Sequence, residues 1–112
     1  MAEVYPCRVV ICNDEKFAQY YNADPENSLM ASYCVTVEEA FDLVKETRNI
    51  ETIILLNGEG EAAISYLGQQ LNWKKKNMPD IVRVQASGNH EDSAKEARAA
   101  VFASSALFIG FG

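Results

Sequence analysis

The chain has 112 residues, 48% of them apolar and 23% charged, with a formal net charge of −6. That length suits one domain with one core, and no apolar run approaches the roughly 20 residues of a membrane-spanning helix. The acidic balance excludes a general nucleic-acid binder, because neutralising phosphates needs a concentrated basic surface.

The start, Met1-Ala2-Glu3-Val4-Tyr5-Pro6, carries no basic or apolar signal region, so a cytoplasmic location is expected. Three cysteines, Cys7, Cys12 and Cys34, stand without a CxxC and beside a single histidine. A zinc site is not expected from that set, and buried thiols in a reducing compartment are.

Taken in order, short apolar runs alternate with segments of helical period, the mark of βαβ units. Residues 7–12 read as a first strand, 15–21 as a short helix, and 22–28 as a loop. A second strand is expected over 31–35. Thr36-Val37-Glu38-Glu39 is a capping box, and Val37, Ala40, Phe41 and Val44 follow it on one helical face ending near Arg48. Residues 52–57 are nearly all apolar, as a central parallel strand covered on both faces should be.

Gly58-Glu59-Gly60-Glu61 opens a longer helix with Ala63, Ile64, Leu67 and Leu71 inward. It must stop before Met78-Pro79. Lys74-Lys75-Lys76 reads as the solvated end of that helix. A fourth strand over 81–86, a turn at Ser87-Gly88-Asn89 and a helix over 91–102 follow. Residues 106–111 are expected to close the chain as a fifth strand.

This string gives a single domain over 1–112, an α/β three-layer fold with a doubly wound, parallel five-stranded sheet in flavodoxin-like order 2-1-3-4-5, lacking the fifth helix. The functional crevice then falls at the carboxyl ends of the strands. Three loops meet there: Asn13-Asp14-Glu15, Asn57-Gly58-Glu59 and Ser87-Gly88-Asn89, followed by His90.

The pattern of these loops resembles receiver domains, which carry acidic residues after strand 1, a phosphoacceptor aspartate after strand 3 and Ser or Thr after strand 4. It is closest to the cyclic-phosphate-processing branch of receiver-like domains, whose D-D-E-R-like, D-H-D-L-G-like and H-S-x-N-like stretches correspond to residues 13–16, 57–60 and 86–89. In that correspondence two family aspartates are Asn13 and Asn57, and the family histidines are Gly58 and Ala86. An amide is neither a carboxylate base nor an aspartyl nucleophile. The receiver lysine is missing too. Aspartyl phosphotransfer is therefore not expected.

Among the candidate crevice residues Asn13, Asp14, Glu15, Asn57, Glu59, Ser87, Asn89 and His90, Asp14 with Glu59 is the sharpest pair. Two such carboxylates, helped by the Asn13 or Asn57 carbonyl, supply the hard oxygens Mg²⁺ takes, and repulsion between them would raise one pKa. The plainer alternative makes Asp14 and Glu59 helix-start residues and Asn89 a cap. No other cofactor is implied.

A chain that ends on its fifth strand leaves Leu107, Phe108, Ile109 and Phe111 on a poorly covered apolar edge, an association surface. The expected function is a non-catalytic receiver-like module that binds a protein partner or forms a homodimer, without membrane or direct nucleic-acid contact. The alternative is an enzyme, a Mg²⁺-dependent phosphoesterase or processor of cyclic phosphates and nucleotides. An acidic decoy for a nucleic-acid-binding protein is a third reading, disfavoured because the acidic residues are scattered.

Overall fold

Four five-residue strands form one all-parallel sheet: β1 (Arg8–Cys12), β2 (Ser32–Thr36), β3 (Thr52–Leu56) and β4 (Asp80–Val84), in the order β2-β1-β3-β4. The computed structural model describes residues 8–29, 31–46, 50–74, 78–86 and 88–109, with the backbone alone at 44–46 and 104–109. β1 and β3 are central, and every residue of β3 is buried, as its unbroken apolar run requires.

The helices are α1 (Glu15–Asn22), α2 (Pro25–Leu29), α3 (Val37–Glu46), α4 (Glu61–Gln70) and α5 (His90–Ile109). One face of the sheet packs Val10, Cys12, Cys34, Ile54 and Leu56 against Phe17, Ala18 and Tyr21 of α1 and Ala94, Ala97 and Val101 of α5. The other packs Val9, Ile11, Ile53 and Leu55 against Ala40 of α3 and Ile64 and Leu67 of α4, with Leu71 and Trp73 at its margin. The expected three-layer α/β arrangement and the strand order 2-1-3-4 are present.

The fifth strand is not. α5 runs without a break through Leu107, Phe108 and Ile109, and no strand follows β4 among the described residues. The reason is local. Ala103-Ser104-Ser105 contains neither glycine nor proline, and a short apolar run after it extends a helix as readily as it makes a strand.

A second correction follows. α5 lies beside α1 on the same face of the sheet, so that face is covered by the chain's own last helix. The edge-strand surface assigned to Leu107, Phe108, Ile109 and Phe111 does not exist for the first three, and Phe111 lies outside the described residues.

Smaller differences have equally local causes. Asp24-Pro25 starts α2 where a loop was expected: Asp24 Oδ1 accepts the Glu26 amide at 3.0 Å, and proline suits a first helical position. α4 stops at Gln70 because Asn72 turns left-handed at φ 54°, letting the Trp73 amide reach the Gly68 carbonyl at 2.9 Å. Lys74 thus follows the helix and does not sit on its last turn; Lys75 and Lys76 lie outside the described residues. The capping box forms in part, with the Thr36 amide donating to Glu39 Oε1 at 3.2 Å and the Thr36 hydroxyl to the same oxygen at 3.1 Å.

The two sheet edges are handled differently. On β2, the Asn22 side chain pairs with both backbone groups of Cys34, at 2.8 and 2.9 Å, standing in for a neighbouring strand. On β4, Pro79, Asp80 and Arg83 blunt the edge. Arg83 is held by Glu61 of α4 at 2.5 and 3.0 Å, which keeps the Glu61 carboxyl below its ordinary pKa.

Candidate functional site

A cleft of about 240 Å³ opens at the carboxyl ends of β1 and β3. It brings together Asn13, Asp14, Asn57, Glu59 and His90 of the expected set, with Cys12, Phe17, Leu56, Ala86, Gly88 and Ser93 completing its walls. Glu15 and Asn89 do not line it, and Ser87 lies outside the described residues.

Asp14 is extended (φ −139°, ψ 109°) and caps α1, its Oδ1 accepting the Lys16 amide at 2.9 Å. Its other oxygen, Oδ2, lies 3.2 Å from His90 Nε2. The bond to His90, then that from the Lys16 amide, holds the Asp14 carboxyl below its ordinary pKa. His90 is fixed in turn by rings: Phe17 meets it edge-on at 5.7 Å between centroids and Tyr20 lies at 5.9 Å. The first residues of α1 and α5 are thereby tied across the cleft.

Asn57, at the carboxyl end of β3, has left-handed backbone at φ 55° followed by Gly58 at φ 79°. These are the central residues of a tight turn closed by the Glu59 amide on the Leu56 carbonyl at 3.1 Å. The Asn57 amide donates to the Val84 carbonyl and its Oδ1 accepts the Ala86 amide, both at 2.7 Å. Its side chain therefore latches the β3 turn to the segment after β4. Gly60 is required sterically: φ is 87°, and a Cβ there would stand 2.8 Å from Ile11 Cγ2.

Asn89 caps α5, accepting the Asp92 amide at 2.7 Å and donating to the Asp92 carboxylate at 3.1 Å. The plainer alternative therefore describes both Asp14 and Asn89 correctly. Glu59 is not a cap, since Gly60 takes that place on α4. A Mg²⁺ ion would fit this arrangement poorly. Both Asp14 oxygens already have partners, and among the described residues no three His, Cys, Asp or Glu side chains converge on one point.

Sequence reasoning did not locate a second feature on the same face. A groove between α1, α2 and α5 is lined by Tyr20, Asp24, Asn27, Lys95 and Arg98, and it adjoins a shallower hollow bounded by Glu26, Ala99 and Phe102. Arg98 spans it, donating to Asn27 Oδ1 at 3.0 Å, to Glu26 Oε2 at 3.1 Å and to Asp24. Asn27 is buried and its Nδ2 donates to the Tyr21 carbonyl at 2.7 Å. Leu29 is 85% exposed and Phe102 64% exposed on the flanking helices. The available signal was the Asp24-Pro25 helix start, which gives α5 a neighbour across from Arg98.

No helix among the described residues is long and apolar enough to cross a membrane. Compared with known proteins, the chain matches no family model, no curated protein and no solved structure.

Proposed function

We propose that the protein is a non-catalytic, receiver-like module that works by associating with protein, first of all with a second copy of itself, through the face built by α2 and the second half of α5. The observation that carries this reading is the exposure of two large apolar side chains, Leu29 on α2 and Phe102 on α5. From Ala99 onward the sequence holds no charged residue, so this end of α5 gives an apolar partner no charge to desolvate.

The state of the crevice supports the same reading. Its three most chemical side chains are engaged internally: Asp14 by Lys16 and His90, Asn57 by Ala86, and His90 by Asp14 and two rings. Sedimentation equilibrium provides the test. Phe102→Asp should weaken self-association at least tenfold, whereas Asp14→Asn should leave it unchanged; identical association constants for wild type and Phe102→Asp would defeat the proposal.

The enzyme reading keeps one observation in its favour, that Asp14, Glu59 and His90 line a single cleft. It requires saturable Mg²⁺ binding there, lost in Asp14→Asn, with hydrolysis of a 2′,3′-cyclic nucleotide lost in parallel.

A further inference from the structure

Cys12 and Cys34 come from adjacent strands, and their sulfurs lie 3.6 Å apart in the buried layer under α1. Both are free thiols. Cys12 is buried, only 2% exposed, yet it is among the residues lining the cleft with Asp14 and Phe17, and its Sγ donates toward the Asp14 carbonyl oxygen at 3.3 Å. Nothing in the association reading uses this pair.

We propose that Cys12 and Cys34 form a reversible oxidation site, in which a hydroperoxide entering the cleft oxidises Cys12 and Cys34 resolves it as a disulfide. In the first step the Cys12 sulfur attacks one peroxide oxygen and the O–O bond breaks. The other oxygen leaves as water or alcohol with the thiol proton, and Cys12 becomes a sulfenic acid, oxidised by two electrons as the peroxide is reduced. In the second step the Cys34 sulfur attacks the Cys12 sulfur, the S–O bond breaks, and water departs with the Cys34 proton.

The roles are asymmetric for a physical reason. The Cys34 thiol donates to Cys12 Sγ, which holds Cys12 below the usual thiol pKa, while giving up that bond and being buried push Cys34 well above it. Thiolate character therefore gathers on Cys12, the member of the pair that lines the cleft.

The sheet register determines what the closed bridge would be like. Cys12 pairs with Thr36, and Cys34 with Val10, so the two cysteines are offset by two residues across neighbouring strands. With strands about 4.8 Å apart and a rise of about 3.3 Å per residue, their Cα atoms are about 8 Å apart. A relaxed disulfide needs less than about 7 Å. Closure must draw β2 along β1, which is feasible because β2 is an edge strand whose outer side is held, among the described residues, by the Asn22 side chain. The product is strained and easily reduced, as a regulatory bridge is and a structural one is not.

The test uses the full chain carrying Cys7→Ser, so that only this pair can respond. Native protein is treated with hydrogen peroxide, then examined by intact mass, thiol titration and peptide mapping. The expected result is loss of two hydrogen masses, no remaining free thiol, a linked Cys12–Cys34 peptide, and full reversal by glutathione. Adding Cys34→Ser should leave a sulfenic acid on Cys12 that dimedone captures; if that variant fails to fold, the mapping of the parent stands alone. Unchanged thiols, oxygen additions without a link, or links only between chains would each overturn the proposal.

Discussion

At the scale of single residues, Asp14 shows how side chains of this crevice satisfy one another. One oxygen stabilises the start of α1 and the other faces His90 on α5. Because these bonds depress its pKa in the folded state, its contribution to stability is complete above the ordinary aspartate value near 3.9 and is lost as pH falls through the depressed one. His90→Ala should move the Asp14 midpoint up toward the ordinary value in an NMR titration; an unchanged midpoint would separate the two residues. The glycines of the β3 turn give a contrasting pair. Gly60→Ala forces a Cβ to 2.8 Å from Ile11 at positive φ and should cost about 2–4 kcal/mol in urea unfolding. Gly58→Ala has the same backbone penalty but open space around it, and should cost about 1–2 kcal/mol.

At the scale of elements, buried polar links join α1, α2 and β2, and the half-buried Arg98 ties α5 to α2. Tyr21 and Ser32 share a hydrogen bond of 2.8 Å at a site where both are about 1% exposed. Tyr21→Phe leaves the Ser32 hydroxyl unpaired in the core and should cost about 1–3 kcal/mol. Arg98→Ala removes the clamp from α5 to Asp24, Glu26 and Asn27 and should cost about 1–3 kcal/mol. It should also raise hydrogen exchange in α2 selectively, since a five-residue helix is not stable without its tertiary contacts.

Most of these elements were legible in the sequence, because their signals are periodic and bounded. The all-apolar run of β3, the i, i+3, i+4 spacing of α3 and the loops at Asn13 and Asn57 could be read directly. The misreadings share a cause. Residues 106–109 are apolar enough for a strand, and only the absence of a breaker after Phe102 marks them as helix. Asp24-Pro25 is hard to read as a helix start because a one-and-a-half-turn helix leaves almost no period. The crevice residues could be placed from the strand ends. Their partners could not, because the Asp14–His90 contact joins positions 76 apart and depends on α5 packing beside α1.

At the scale of the whole molecule, the described residues make a four-stranded, doubly wound sheet, and α5 runs straight from β4 to the face that α1 occupies. That course closes the sheet face and places the uncharged end of α5 beside α2, with Phe102 and Leu29 outward. A formal charge of −6 disfavours close approach of two copies at low ionic strength, so self-association through this apolar face should strengthen as salt screens the repulsion. An acidic decoy held on a basic partner would instead weaken with salt.

The most direct measurement is a dilution series followed amide by amide by NMR, from millimolar protein down to the micromolar range. Shifts that track concentration for the amides of Glu26–Leu29 and Lys95–Phe102, while those of Asn13, Asp14, Asn57 and His90 stay fixed, are the predicted result. Amides of α2 and α5 that do not move across that range, with the crevice amides responding to added Mg²⁺, would contradict the account and return the function to the cleft.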